Sequence, residues 1–384
     1  MKKIAFVIES LQCGGAEKSL VTLLQNMNFE KFKIDLILTV GKGEFVKFVP
    51  KMVDVKVIDV FSKISSFKLN MLRLVLAFQK KLKNSSKYHA AQLHWKTYGK
   101  YVQKIEQEYD IAIAYNQGLA TYIVAEKMVA TKKLAWLNTD YLKAGYNINF
   151  DFDKYNVFDK IVTVSDEGKN SFVTQLNSIG CNLQTVVIKD ITDINLVNKL
   201  SKEHQGLNKN PLDINICSVG RLAKAKGYHL AIQACKILID KGKIIKWFII
   251  GNGPELNNIE ELIKYYNLEN HIELLGYQEN PYPYIKTCDI YVQTSLFEGL
   301  GLTVIEAAIL QKPIVTTNFP TAYNIIKNEE TGLICEMTPI SIANAIQRYL
   351  SDKIFKEKVV RNLALLKNND KEMSLAKVNE LLNT

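Results

Sequence analysis

The sequence predicts an α/β architecture of two parallel-sheet domains on three observations: a chain of 384 residues, alternating strand-like and helix-like segments, and one polar interruption near the middle. A chain of this length exceeds what one hydrophobic core organises, so two domains of similar size are expected. Buried strands alternating with amphipathic helices are the pattern of a parallel sheet covered on both faces. Apolar residues at 47% and charged residues at 23% fit an ordinary globular protein that is folded throughout.

The first half carries strand signals at 4–8 (IAFVI), 32–40, 54–60, 110–115, 133–137 and 160–165, each short and rich in Val, Ile or Phe. The rhythm breaks over 188–211, a polar stretch short of strong strands and closed by Asn210-Pro211, where the interdomain connection is placed. It restarts at 214–220 (INICSVG), 246–251, 272–276, 289–295 and 313–318. Two Rossmann-like domains follow, set at 1–190 and 191–384, with the last helix packing back on the N-terminal domain. Such domains are expected to face a central cleft walled by the carboxyl ends of strands, where α/β sheets bind ligands.

Several classes are excluded by composition. The start, MKKIAFVIES, is interrupted by Glu9 and lacks a small-residue cleavage site, so it reads as a strand and not a signal peptide. The apolar stretch around 69–78 contains Asn70 and Arg73 and falls short of the roughly 20 residues a membrane span needs. A cytoplasmic protein is expected, peripheral at the inner face of the cell membrane if it meets one. Cys13, Cys181, Cys217, Cys235, Cys288 and Cys335 show no metal-ligand spacing and read as reduced core residues. No metal and no other cofactor is expected.

The chemistry is expected in loops after strands. Gly14-Gly15 leads from the first strand into an apolar-periodic helix, whose N-terminal N–H groups and dipole suit a phosphate. The turn lacks G-x-G-x-x-G, which argues against a dehydrogenase. Ser218-Val219-Gly220-Arg221 opens the second domain, with Lys226 close behind; a fixed guanidinium and an ammonium there both suit a pyrophosphate. Lys224 reads as a solvated surface lysine. From 289 to 317 a buried strand ends in Thr294-Ser295, a loop carries Glu298-Gly299-Leu300-Gly301-Leu302, and a helix begins near Thr303. Glu298 and Glu306 are eight residues apart and read as one loop carboxylate and one first-turn helix carboxylate facing a common cavity. Carboxylates suit sugar and ribose hydroxyls, and the N–H groups of Gly301, Leu302 and Thr303 suit phosphates.

These residues resemble glycosyltransferase family 4, the retaining GT-B group that includes relatives of sucrose and glycogen synthases. The resemblance runs through GGAEKSL at 14–20, FDKIVTVS at 158–165, SVGRLAKAKG at 218–227, IIGNGPE at 249–255, GYQENPYPYI at 276–285 and the E-x7-E segment. It implies a GT-B fold, with an acceptor-binding N-terminal domain and a nucleotide-sugar-binding C-terminal one. The implied activity is retaining, metal-independent transfer from a UDP-sugar to a glycan or lipid-linked saccharide, in bacterial surface polysaccharide synthesis. Arg221 and Lys226 would hold the diphosphate and carry the rate, Glu298 would lie by the donor sugar, and Glu306 would hold the ribose. Gly15 would approach the phosphates, and the stretch from Tyr277 to Tyr284 would line the base. Asn138, with Asp140 two residues on, stands where many relatives have an acceptor-side histidine. Gln311 and Asn324 replace the family's usual Gly and Glu.

Three rivals are a nucleotide-sugar epimerase of the same fold, a non-catalytic glycan-binding protein, and a metal-dependent enzyme using Asp151-Phe152-Asp153, a three-residue match in an aromatic, acidic loop. The formal charge is +10, and 62–104 holds ten Lys or Arg without one Asp or Glu. That segment interleaves Phe67, Leu69, Leu72, Leu76, Phe78, Trp95, Tyr98 and Tyr101 with its basic residues, as a helix lying on an anionic membrane surface would. No nucleic-acid motif accompanies the charge.

Overall fold

A computed structural model describes residues 1–12, 14–59, 64–81, 88–208, 210, 212–366 and 370–383. Cys13, Lys63, Lys83 and Lys87 lie outside the described residues. The chain forms two compact units, one of Met1–Ile191 with Glu372–Thr384 and the other of Thr192–Lys371.

The first unit holds a seven-stranded sheet of β1 (Lys2–Ile8), β2 (Phe32–Leu38), β3 (Asp54–Val57), β4 (Ile105–Ala114), β5 (Met128–Leu137), β6 (Lys160–Thr163) and β7 (Thr185–Val187). Its order is β3-β2-β1-β4-β5-β6-β7, with neighbours parallel. The second unit holds β8 (Ile214–Val219), β9 (Ile245–Ile250), β10 (Ile272–Gly276), β11 (Ile290–Gln293), β12 (Ile314–Thr317) and β13 (Leu333–Cys335). Its parallel order is β10-β9-β8-β11-β12-β13. The apolar runs of β1, β8, β9, β11 and β12 are buried almost end to end, because helices cover both faces of a parallel sheet.

Sequence reading misses β7 and β13, whose TVV and LIC cores are three residues long and too short to register as a run. It also reads 188–211 as plain connection, whereas Ile194–Leu200 is a helix, with the Asp193 carboxylate accepting from the Leu196 N–H. The C-terminal helix, Asp370–Asn383, accepts hydrogen bonds at its last carbonyls from two lysines of the first unit: Lys2 Nζ to Leu382 O at 2.9 Å and Lys132 Nζ to Leu381 O at 2.7 Å. Lysine at a helix C-terminus satisfies orphan carbonyls and suits the dipole.

The basic segment splits into two kinds of helix. In Ala90–Tyr98, Trp95 and Tyr98 are buried, and Trp95 Nε1 donates to Glu126 Oε2 at 3.2 Å, so these two aromatics serve the core. In Ser66–Lys81 the half-buried side chains are Leu69, Leu72 and Leu76, while Phe67, Met71, Leu74, Val75 and Phe78 are exposed. Those five fall at helical spacing on one face. Of the apolar residues in this helix that the sequence suggests for a membrane face, Phe67 and Phe78 lie in the outward row and Leu69, Leu72 and Leu76 do not. Among the described residues no helix is long and apolar enough to cross a membrane.

Candidate active site

Each sheet has one place where strand order reverses, between β1 and β4 in the first unit and between β8 and β11 in the second. Ligands of open α/β sheets bind outside the carboxyl ends of strands at such a reversal. Most of the residues singled out from sequence lie in loops at these two places.

In the second unit, the backbone after β8 is laced to the loop after β9: Gly220 N–H donates to Ile250 O, Leu222 N–H to Asn252 O and Glu255 N–H to Leu222 O, all at 2.9 Å. A side chain at Gly251 (φ +143) would meet the Gly220 carbonyl, so the close approach requires glycine. The backbone of Arg221 is thereby fixed, but its guanidinium is not. Arg221 is exposed and has no side-chain partner among the described residues, which corrects the expectation of a fixed guanidinium.

Lys226 closes a short 3-10 turn, Lys224–Lys226, that is clamped to the loop after β11. Leu296 N–H donates to Ala225 O at 2.7 Å and Thr294 Oγ1 to Lys226 O at 2.9 Å. Gly227 (φ +60) follows in the left-handed region, with the Thr294 carbonyl 2.2 Å from where a Cβ would stand. The clamp brings Lys226 Nζ to 2.6 Å from Glu298 Oε1 in a largely buried ion pair. Two further donors reach the same oxygen, Ser295 Oγ at 2.6 Å and Gln293 Nε2 at 3.0 Å. Lys224 is exposed, as read.

Gly301 (φ +89) caps the helix Leu302–Ile309 in a conformation that glycine adopts without strain. Thr303 Oγ1 donates to Gln293 Oε1 at 3.3 Å, so the helix start is tied back to β11. Glu306 stands in the second turn of this helix and not, as expected, in the first; it is buried and accepts from the Tyr282 hydroxyl at 3.2 Å. Of the stretch from Tyr277 to Tyr284, Tyr282 is therefore committed to Glu306, and Tyr284 bonds Gln278 at 3.0 Å. Two of the tyrosines expected to line a base are engaged within the wall. Behind the site, Ser218 Oγ accepts from Trp247 Nε1 at 3.0 Å and donates to Val292 O at 2.6 Å, tying β9 and β8 to β11.

In the first unit the helix Gly15–Gln25 starts after an extended Gly14. The space a side chain at Gly14 would occupy is filled by the Glu17 carboxylate. One turn on, the buried Ser19 hydroxyl bonds Asp190 Oδ1 and lies 2.9 Å from the Tyr115 hydroxyl. Burial pushes the Asp190 carboxyl up to about 6, the Ser19 bond offsetting part of the rise. Asn138 is fixed by its N–H to Gln117 Oε1 and by Nδ2 to the Tyr115 carbonyl, both at 3.0 Å. Its Oδ1 is buried with no partner among the described residues. Asp140 is held in place through Oδ1, which accepts from Ser171 Oγ at 2.9 Å and from the Lys143 N–H at 3.0 Å.

Asp151-Phe152-Asp153 lies on the helix Ile148–Tyr155 and not in a loop. Asp151 is buried and accepts from Tyr122 at 2.8 Å and Tyr141 at 2.6 Å, so both its oxygens are engaged in the core. Among the described residues no group of three His, Cys, Asp or Glu side chains is arranged to hold a metal. The five described cysteines are free thiols, four of them buried.

The sequence analysis assigns no site role to Asp190, Gln293 or Ser295. The signal was there for two of them, a lone acid between Ile188 and Ile191 and a glutamine ending an apolar strand.

Residues 201–382 match the family model described as glycosyl transferases group 1. Over 168 residues the chain is 33% identical to the capsular polysaccharide biosynthesis glycosyltransferase CapM of Staphylococcus aureus, 43% of either chain. Over 123 residues it is 35% identical to the Campylobacter jejuni N-acetylgalactosamine-N,N'-diacetylbacillosaminyl-diphospho-undecaprenol 4-alpha-N-acetylgalactosaminyltransferase, 32% of this chain and 33% of that one. The chain thus spans less than half the length of these curated relatives. Among solved structures, Anabaena HepE in complex with UDP and glucose matches with a TM-score of 0.71 at 18% identity, covering 100% of this chain and 98% of that one. That likeness is one of fold, and it is the GT-B class, two Rossmann-like units, that the sequence predicts.

Proposed function

We propose that this protein, whose residues 201–382 match the model of glycosyl transferases group 1, moves a sugar from a UDP-sugar to a glycan or lipid-linked saccharide, with retention of configuration, in the synthesis of a surface polysaccharide. The observation that carries the reading is the meeting of Lys226 with Glu298 beside the exposed Arg221, at the strand-order reversal of the second sheet. Cations placed there stabilise the charge that develops on a departing diphosphate, and such electrostatic stabilisation is commonly the largest catalytic term. Arg221 and Lys226 take the diphosphate, Glu298 the donor sugar and Glu306 the ribose, with Gly301, Leu302 and Thr303 offering N–H groups. Tyr277 is assigned to the base, Gly15 to the phosphates, and Asn138 and Asp140 to the acceptor. In the step itself the acceptor oxygen bonds to the anomeric carbon as the carbon–oxygen bond to the diphosphate breaks, and the acceptor proton passes to the leaving oxygen. The names of the relatives agree with such a substrate class: CapM is a capsular polysaccharide enzyme, and the Campylobacter protein acts on a diphospho-undecaprenol sugar.

Incubation with radiolabelled UDP-sugars tests this reading. Turnover that depends on added saccharide acceptor supports transfer. Release of free sugar with no acceptor requirement would indicate the epimerase alternative, and no turnover would leave a binding protein. Transfer is expected to continue in excess EDTA, because Asp151 is occupied by two tyrosine hydroxyls and is not available to a metal. Strict dependence on manganese or magnesium overturns that expectation.

We further propose that the helix Ser66–Lys81 rests on an anionic membrane, presenting Phe67, Met71, Leu74, Val75 and Phe78. An exposed apolar row in a segment of ten basic and no acidic residues is complementary to such a surface. Wild-type protein is expected to cosediment with phosphatidylglycerol vesicles at low salt and to be released as salt screens the charges. Changing Phe67 and Phe78 to Ser, or Lys80, Lys81, Lys83 and Lys87 to Gln, should weaken cosedimentation and leave donor turnover in solution unchanged. Indifference of the wild type to anionic vesicles at low salt removes the membrane reading.

A further inference from the structure

Glu298 receives three donors on one oxygen. Lys226 Nζ, Ser295 Oγ and Gln293 Nε2 converge on Oε1, while Oε2 has no partner among the described residues. What fixes this asymmetry is a glutamine at the end of β11. Gln293 is buried, and its amide uses its full hydrogen-bonding capacity. Nε2 donates to Glu298 and, at 2.8 Å, to Ser295 Oγ; Oε1 accepts from the Tyr291 hydroxyl at 2.8 Å and from Thr303. The amide therefore joins three elements: β11, the loop bearing Glu298, and the first turn of the helix that bears Glu306. An amide so placed has little freedom to turn, because rotation by 180° would set its oxygen against the Glu298 carboxylate and its NH2 against two hydroxyl donors.

We propose that Gln293 is a positioning residue for the transfer reaction: it holds the Glu298 carboxylate so that Oε1 is saturated within the protein and Oε2 is the single acceptor offered to a hydroxyl of the transferred sugar. This rests on the reading of the protein as a sugar transferase and specifies how its sugar subsite is built. Ser295, also buried, completes the arrangement by accepting from Gln293 and donating to Glu298. A lone, oriented acceptor confers preference for a donor sugar that carries the matching hydroxyl, since a site built to bond a hydroxyl rejects an analogue lacking it. Lys226 shares in the effect: its ammonium keeps one N–H on Glu298 and has two left for phosphate oxygens.

The test compares wild type, Gln293→Met, Ser295→Ala, Glu298→Ala and the Gln293→Met/Glu298→Ala double variant. Binding of UDP alone is read by calorimetry, and turnover is read with UDP-glucose, UDP-galactose, UDP-N-acetylglucosamine and UDP-N-acetylgalactosamine. The Met side chain matches the length of Gln without its polar groups. Gln293→Met is expected to fold, with a lower melting midpoint because the buried Tyr291 hydroxyl loses its acceptor, and to bind UDP within about twofold of wild type, yet to lose on the order of 10- to 100-fold in kcat, as a misplaced reacting geometry does. In the Glu298→Ala background the same change should cost less than about twofold, because a residue that acts through Glu298 has nothing left to position. A residue that served only the fold would lower turnover equally in both backgrounds. Full activity in Gln293→Met, or equal losses in the two backgrounds, overturns the proposal. If Gln293→Met does not fold, Ser295→Ala, alone and with Glu298→Ala, carries the same comparison. A wild type that turns over none of the four donors overturns the transferase reading itself, an outcome distinct from a wild type and a variant that work equally well.

Discussion

Lys226→Ala is expected to lower turnover by about 10²- to 10³-fold, the range seen on removing a group that stabilises developing charge. The protein should remain folded. The turn that carries Lys226 is held by backbone and Thr294 bonds that do not use its side chain, and Glu298 keeps the Gln293 and Ser295 donors. Arg221→Ala should cost comparable turnover and no measurable stability, because its exposed guanidinium has no partner to lose among the described residues. Glu306→Ala differs: it should also abolish transfer, but it takes an acceptor from the buried Tyr282 hydroxyl, at a cost of about 1–3 kcal/mol. Steady-state rates beside thermal melts check all three. Near-normal turnover in a folded variant removes that residue from the proposed site.

Asp190→Asn should stabilise the protein at neutral pH and have little effect near pH 4. The wild-type carboxyl is buried, with the Ser19 hydroxyl as its bonded partner, and its value rises from 3.8 to about 6. A raised value means that the folded protein keeps a proton which the unfolded chain has already lost. The contribution of this group to stability is therefore full below about pH 4 and is lost as pH rises through about 6. At about 1.36 kcal/mol per pKa unit the span is on the order of 3 kcal/mol. Asparagine carries no charge and still offers an oxygen to Ser19, so it removes the burial penalty above pH 6. Urea titrations at pH 4, 5, 6 and 7.5 should show the wild-type and Asp190→Asn midpoints diverging as pH rises. Parallel profiles would show that Asp190 does not titrate in this range.

Much of the fold was legible because a buried parallel strand is a short apolar run bounded by turn residues. IAFVI, INICSV and IYVQ announce β1, β8 and β11, and the positions of the loops that follow come with them. TVV and LIC did not, since three residues carry too little pattern; their strand character comes from pairing with β6 and β12. The helix Ser66–Lys81 shows a different limit. Its apolar residues nearly encircle the axis, so periodicity alone did not tell Leu69, Leu72 and Leu76 from the outward Phe67, Met71, Leu74 and Phe78.

For the candidate site, the sequence by itself determined residue types and their attachment to strand ends: an arginine and a lysine after β8, two carboxylates and two glycines after β11. Local chain chemistry suffices for that, since glycine, strand length and helix start are read over a few neighbouring residues. What only the tertiary structure decided is who meets whom. Lys226 and Glu298 are 72 residues apart and are brought to 2.6 Å because β8 and β11 are neighbours in the sheet. Gln293 ends an apolar strand, and only its four partners turn it from an oddity into a brace. Asp151 matched a metal motif until packing set two tyrosine hydroxyls on its oxygens. Hydrogen-bond partners are chosen at 3 Å in space, by contacts between segments that the sequence keeps far apart, and no local pattern records that choice.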